Sequence, residues 1–360
     1  MNRSYLWAYD DQKGWNLTTH FSFFNDFQRE DEDMKYAEVT SIVTLCLISL
    51  AINISLISLI VKTKELRENQ QNMYIVSVSC STMLLLPCAV LVGGSRLSPS
   101  GWPYGSFVCK FAMYAFLVTA FIKIWLMTVI SLDRYLMVVC DQKYHLNKML
   151  STLLNLAAWF FPGFSLAFMV YSNTDSATAT VDNQTVSICS AMFKYDPVIS
   201  YALVYFSTVF VLEYFIPMTI IIVCYVGILR KVKVSSMTRG TIRVKQIFVA
   251  QRESNQKKTN NKEQKTTRIL IAIFVIFLIM WTPLFGLLAM LSLDQKLESY
   301  KLTSRYIVLQ LCILVLNTII EPFLFSLTTG PVRQRLLQLF RGVKTRSKVA
   351  PSSMYNTTVS

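Results

Sequence analysis

The chain is 360 residues long, 53% hydrophobic and only 16% charged, where an average soluble domain has about a quarter of its residues charged. Its formal net charge is +14. Length alone would accommodate about two or three globular domains. The apolar residues, however, gather into seven blocks of about 20 residues or more, each long enough to cross a hydrocarbon core of about 30 Å. That pattern excludes a soluble enzyme, a nucleic-acid binder and a disordered scaffold, and describes a polytopic membrane protein.

In chain order, residues 1–37 come first as a polar tail without an apolar core. No cleavable signal peptide is visible there, and the first block is expected to act as an uncleaved anchor. From Asp10 to Glu38 the chain holds eight acidic residues. The blocks then run roughly over 38–62, 72–95, 107–139, 150–171, 199–229, 267–293 and 304–328. Each is expected to be a helix, because a helix satisfies its own backbone in lipid and an isolated strand cannot. The blocks are too long and too uniformly apolar for the alternating segments of about ten residues that a barrel requires. The expected fold is all-α, a seven-transmembrane helix bundle over 38–328.

Lysine and arginine set the expected orientation, because cytoplasmic loops carry the excess. With the N-terminus outside, the outer segments hold eight such residues and the inner ones 23, twelve of them between Arg230 and Arg268. This basic charge is read as topology and contact with anionic membrane lipids, not with nucleic acid. Sequons at Asn2, Asn16 and Asn183 fall on the outer side as candidate glycosylation sites. Those at Asn53 and Asn356 would lie in the membrane and the cytosol.

Six of the eight cysteines lie in apolar blocks, where Cys acts as a small buried hydrophobe. Cys109 and Cys189 face the oxidising side, where a bridge is allowed by compartment; two unpaired thiols are the alternative.

These features resemble the rhodopsin-like G-protein-coupled receptors, over about residues 38–341. The motifs that carry the resemblance are Asn53 in the first helix, Trp102 and Cys109 before and in the third, and Asp133-Arg134-Tyr135 at its end. They continue with Trp159 in the fourth helix, Pro217 and Tyr225 in the fifth, Trp281-Thr282-Pro283 in the sixth and Glu321-Pro322 in the seventh. Ile52 stands where relatives carry a Gly. The resemblance implies a Cys109–Cys189 disulfide, a short amphipathic helix 8 over 331–341, and a cytoplasmic Ser/Thr-containing tail over 342–360. It also implies heterotrimeric G proteins as partners, with arrestin and receptor kinases acting on that tail, and a plasma-membrane location. No cofactor or His-based metal site is expected, because His20 and His145 both lie outside the apolar blocks.

The same resemblance assigns roles. Arg134 would pair with Asp133 and with Glu263 in an ionic clasp that, once released, frees Arg134 for a G protein; Tyr225 belongs to this switch. Ile124, Pro217 and Phe277 would form the packed relay, with Trp281 at the pocket floor and Pro283 at the kink of the sixth helix. The candidate ligand pocket reads Phe116, Leu117, Ala120, Leu284, Phe285, Leu288 and Leu311, an apolar lining. Phe116 and Val315 stand where aminergic relatives carry an acid and opsins a Schiff-base Lys, so neither an anchored amine nor retinal is expected. Glu213 is the acid of the outer half, expected either to touch ligand or to bond a Tyr or Thr on a neighbouring helix. A peptide ligand is the first reading. A lipid-like ligand, or a receptor active without ligand, is the alternative; a channel or transporter would want more polar groups along a path.

One departure from the family concerns the sodium ion that relatives hold mid-bundle. Here the corresponding positions are Thr82, Lys123 and Glu321. A lone Lys at the membrane centre costs about 2.5–3.5 kcal/mol on insertion scales, so a partner is expected. Glu321 is the candidate, in a buried ion pair replacing the sodium ion; snorkelling to lipid or pairing with Glu213 is the alternative.

Overall fold

A computed structural model describes residues 18–21, 32–140, 146–181, 184–194, 201–242, 268–284, 286, 300–328 and 332. Seven long helical elements stand among them: α1 (Glu32–Lys62), α2 (Gln70–Gly94), α3 (Gly105–Val139), α4 (Lys148–Asn173), α5 (Tyr201–Ile242), α6 (Arg268–Leu284) and α7 (Tyr300–Thr328). All but α6, whose described part is shorter, are long and apolar enough to cross a bilayer. Prolines sit inside five of them (Pro87 in α2, Pro162 in α4, Pro217 in α5, Pro283 in α6 and Pro322 in α7), as helices packed in a membrane bundle tolerate.

Local chemistry sets the helix starts. The Asn69 side chain accepts from the backbone N–H of Gln71 at 3.0 Å to open α2, and Asn147 accepts from Leu150 at 2.7 Å to open α4. Both are N-caps, which satisfy donors that the first helical turn leaves unpaired. Between α1 and α2 the single turn Lys64–Arg67 reverses the chain, and Asn72 locks it by donating to the carbonyl of Leu66 at 2.8 Å.

At the centre of the bundle, α3 packs against α2, α4 and α5, while α1 packs on α2 and α7. A continuous core joins Phe121, Ile122, Ile124 and Leu126 of α3 to Ile221 and Ile228 of α5, Phe277 and Trp281 of α6 and Leu314 of α7. The outward faces stay apolar, with Phe160 and Phe164 of α4 72% and 88% exposed. In water such a face would be a defect; in lipid it is the solvent-facing side. Polar bonds stitch the interior: Trp159 Nε1 donates to Ser77 at 2.6 Å, Tyr74 to Ser151 at 2.7 Å, and Tyr114 to the Gly163 carbonyl at 2.7 Å.

The all-α bundle also carries a small sheet that the apolar blocks did not announce. Strands β1 (Thr18–Phe21), β2 (Thr174–Val181) and β3 (Gln184–Lys194) are antiparallel in the order β1-β3-β2. β2 and β3 form a hairpin directly after α4, and β1 brings the N-terminal tail onto the edge of β3, Thr18 opposite Lys194 and Phe21 opposite Ala191. The chain between α2 and α3 joins as well: Trp102 N–H donates to the Ser187 carbonyl at 2.7 Å, and Ser187 N–H to that of Ser100 at 2.9 Å. Gly101, bridged to Ser187, holds φ at 80°, a left-handed conformation that costs other residues about 1–2 kcal/mol.

Candidate functional site

Two ends and a middle of the bundle collect the residues singled out in the sequence. At the sheet end, Cys109 near the start of α3 is bonded to Cys189 of β3, with their Cα atoms 5.5 Å apart. The bridge pins the hairpin over the bundle. Trp102 packs beside it, edge-on to Tyr104, and its Nε1 donates to the carbonyl of Gly105 at 2.9 Å.

Below the hairpin, the candidate pocket positions belong to α3, α6 and α7. Ala120 and Leu311 are buried, and Phe116, Leu117 and Leu284 are partly buried against the core. Phe285 and Leu288 lie outside the described residues. Glu213 is 1% exposed and has different partners from those expected: Trp125 Nε1 of α3 donates to its Oε2 at 2.8 Å, and the Ser165 hydroxyl of α4 donates to Oε1. It thus ties together α3, α4 and α5. The cause is a π-helical turn, Phe210–Phe215, within α5. The widened turn rotates the residues before Pro217 and swings Glu213 into that seam; such π turns often mark functional regions.

In the middle lies the relay set. Ile124 and Phe277 are fully buried, Pro217 is buried on α5, and Phe277 stacks on Trp281 with ring centroids 5.5 Å apart. Beside Pro283, Gln310 of α7 donates to the Met280 carbonyl at 2.5 Å, and the hydroxyls of Tyr214 and Thr282 lie 3.2 Å apart. The stretch of α6 around Pro283 is therefore held from both α5 and α7. Lys123 and Glu321 meet here: Nζ lies 2.7 Å from Oε2, with side chains 0% and 2% exposed. Asn317 donates to Oε1 of the same carboxylate at 2.8 Å. Thr82, buried on α2, donates back to the Val78 carbonyl at 3.2 Å and stands outside this pair. Asn53 links α1 to α7, donating to the carbonyls of Ser49 at 2.9 Å and Thr318 at 3.1 Å. Its burial between two helices leaves no room for a glycan.

At the far end of α3, Asp133 and Arg134 are 4% and 8% exposed. Arg134 Nη1 reaches Met137 Sδ at 3.9 Å. Tyr225 and Ser131 share a small cleft with Ile130, Leu270, Phe274 and Phe325, where α3, α5, α6 and α7 converge. Close by, Gly227 faces Tyr135: a Cβ there would come within 2.5 Å of the ring. Glu263, the expected partner of Arg134, lies outside the described residues, as do Asn2, Asn16, Asn183 and 333–360.

Sequence reasoning missed several partners. Trp125 and Ser165 were apolar-block residues with no motif around them. Arg96, counted only as an outer charge, is 7% exposed and pairs with the partly buried Glu38 between α1 and the end of α2. An Arg at the end of an apolar block opposite an acid at the start of another was the available signal.

The sequence model of the 7 transmembrane receptor (rhodopsin family) matches residues 52–325. The chain belongs to that family: it is a multi-pass membrane receptor and not an enzyme. Somatostatin receptor type 5 of Rattus norvegicus is 25% identical over 248 residues, which cover 67% of this chain and 60% of that receptor. A purinoceptor of Gallus gallus is 27% identical over 282 residues, 74% of this chain and 70% of the purinoceptor. Type-1 angiotensin II receptor B of Xenopus laevis is 24% identical over 260 residues, 70% and 64% of the two chains. The chain thus spans about 60% of the length of the somatostatin receptor it matches. Among solved structures, squid rhodopsin superposes with a TM-score of 0.72 at 19% identity, covering 89% of each chain, a likeness of fold.

Proposed function

We propose that this protein is a plasma-membrane receptor, N-terminus outside and C-terminus in the cytosol, that transmits the binding of an extracellular ligand to heterotrimeric G proteins. The observation that carries the reading is the far end of α3. There Arg134 and Asp133 are withdrawn from the surface beside the cleft where α3, α5, α6 and α7 meet. Outward movement of α6 would open that cleft and expose Arg134 to the helix of a G protein; packed, two-state seams of this kind carry such changes.

A peptide is the favoured ligand. The apolar pocket lining offers no acid on α3 for an amine, and the names of the somatostatin and angiotensin II receptors support a peptide. The tail at 342–360 would take phosphate from receptor kinases and so recruit arrestin. Asn2, Asn16 and Asn183 would carry glycans, and 331–341 would lie on the membrane as helix 8, held to anionic lipid by its basic residues.

The test is basal and peptide-stimulated nucleotide exchange on G proteins in membranes bearing the receptor at matched surface expression. Glu263→Gln should raise the basal rate if that residue clasps Arg134 at rest; an unchanged basal rate removes the clasp.

A further inference from the structure

Gln310 is the one amide side chain in the apolar run 307–316 of α7, and it is buried, 2% exposed. A buried amide is tolerated when its polar atoms find partners. Its Nε2 reaches across the bundle and donates to the main-chain carbonyl of Met280 in α6. That carbonyl lies in the turn before Pro283. A proline has no N–H to give to the carbonyl four residues back, here that of Ile279, and its ring crowds the same oxygen. The turn is therefore weakly held by its own helix, and α7 supplies a bond from outside at the next carbonyl.

The two ends of this bond rest on different supports. α7 is fastened to α1 and α2: Leu311 and Val315 share an apolar cluster with Ile42 and Ala89, and about two turns further on Thr318 bonds Ser49 and Asn53. On α6 the Met280 carbonyl stands between Phe277 and Trp281, fully buried rings stacked 5.5 Å apart. All three residues lie within little more than one helical turn. A rotation of α6 that repacks those rings carries the carbonyl with it, away from a donor that stays with α7. We infer that Gln310 is a latch, whose bond to the Met280 carbonyl is made in the closed bundle and lost when α6 turns outward. The inference rests on the outward movement of α6 proposed above and assigns part of the resting hold to one side chain. Gln310 acts through α6 and is a positioning residue. Its neighbour Leu311 belongs to the candidate pocket, so a ligand that shifts this part of α7 acts on the latch directly.

The test uses the full-length protein in lipid nanodiscs, with neither ligand nor G protein added. Spin labels on ketone-bearing amino acids replace Met149 at the start of α4 and Arg268 at the start of α6, both exposed. Pulsed dipolar spectroscopy then reads the ratio of long to short distances between them. Gln310→Met keeps the length of the side chain and removes the donor. The net contribution of a neutral hydrogen bond corresponds to about a two- to tenfold change in an equilibrium, so the long-to-short ratio should rise by about that factor. A ratio equal to that of the wild type overturns the latch even if the melting temperature falls, because a merely structural bond would lower stability without moving α6. Should Gln310→Met not fold, Gln310→Asn, one methylene too short to reach the carbonyl, takes its place with the same two outcomes. A raised ratio in a receptor that drives no nucleotide exchange supports the latch and removes the coupling reading alone. An unchanged ratio in a receptor that does drive exchange removes the latch alone.

Discussion

Trp125→Phe isolates the bond that holds the π-helical turn of α5 against α3. The change keeps an aromatic ring at the position, so the edge-on contact with Phe161, whose centroid lies 5.1 Å away, is largely preserved. It removes the indole N–H that donates to Glu213 at 2.8 Å and leaves the Ser165 hydroxyl as the carboxylate's remaining donor among the described residues. Hydrogen bonds to charged groups contribute about 1.5–3 kcal/mol, and Glu213, at 1% exposed, is too deep for solvent to replace the lost donor freely. Trp125→Phe should therefore lower the unfolding free energy by about 2 kcal/mol. A double-mutant cycle with Glu213→Leu separates this bond from ring packing, because Trp125→Phe should cost little once the carboxylate is gone. Unfolding in mixed micelles, followed by far-UV circular dichroism against denaturant, supplies the four free energies. A coupling energy under about 0.5 kcal/mol, the level at which distant sites simply add, would refute the reasoning.

Cys109→Ser and Cys189→Ser should each reduce surface delivery, since the bridge is the covalent tie between the hairpin and α3; surface staining equal to wild type in both would remove that role. Gly227→Ala should destabilise the α3–α5 seam by about 1–3 kcal/mol, the range for forcing atoms into a packed interior, because the new Cβ meets the Tyr135 ring. Pairing it with Tyr135→Ala should relieve the loss, and a double variant no more stable than Gly227→Ala would count against the contact.

The helices were legible because lipid imposes a length and a composition on anything that crosses it, and six of the described helices meet both. The Lys123–Glu321 contact was legible for a related reason: a Lys in a run as apolar as α3 must find an acid, and few acids lie at its depth. The hairpin was not. Its strands are eight and eleven residues, the first mostly Thr, Ala and Ser and the second mixing polar residues with Val186, Ile188, Met192 and Phe193, too short and too polar to stand out beside the apolar blocks. The π turn was equally hidden, since an extra residue in a helical turn leaves no compositional mark. Its consequence, the pairing of Glu213 with Trp125 and Ser165, could not be read from spacing that assumes a regular helix. Arg96 is a converse case, a charge that counts toward the outer segments by its place between blocks and that the fold buries against Glu38.

The central claim is that the α3 terminus passes a signal to a G protein. The most direct measurement is guanine-nucleotide exchange by a panel of purified heterotrimeric G proteins added to nanodiscs holding the receptor, with a peptide shown to bind it. Exchange on at least one G protein that rises with peptide and disappears in Arg134→Ala, with peptide binding retained, is the predicted result. A peptide that binds without raising exchange on any G protein, or exchange that survives Arg134→Ala unchanged, would contradict the account.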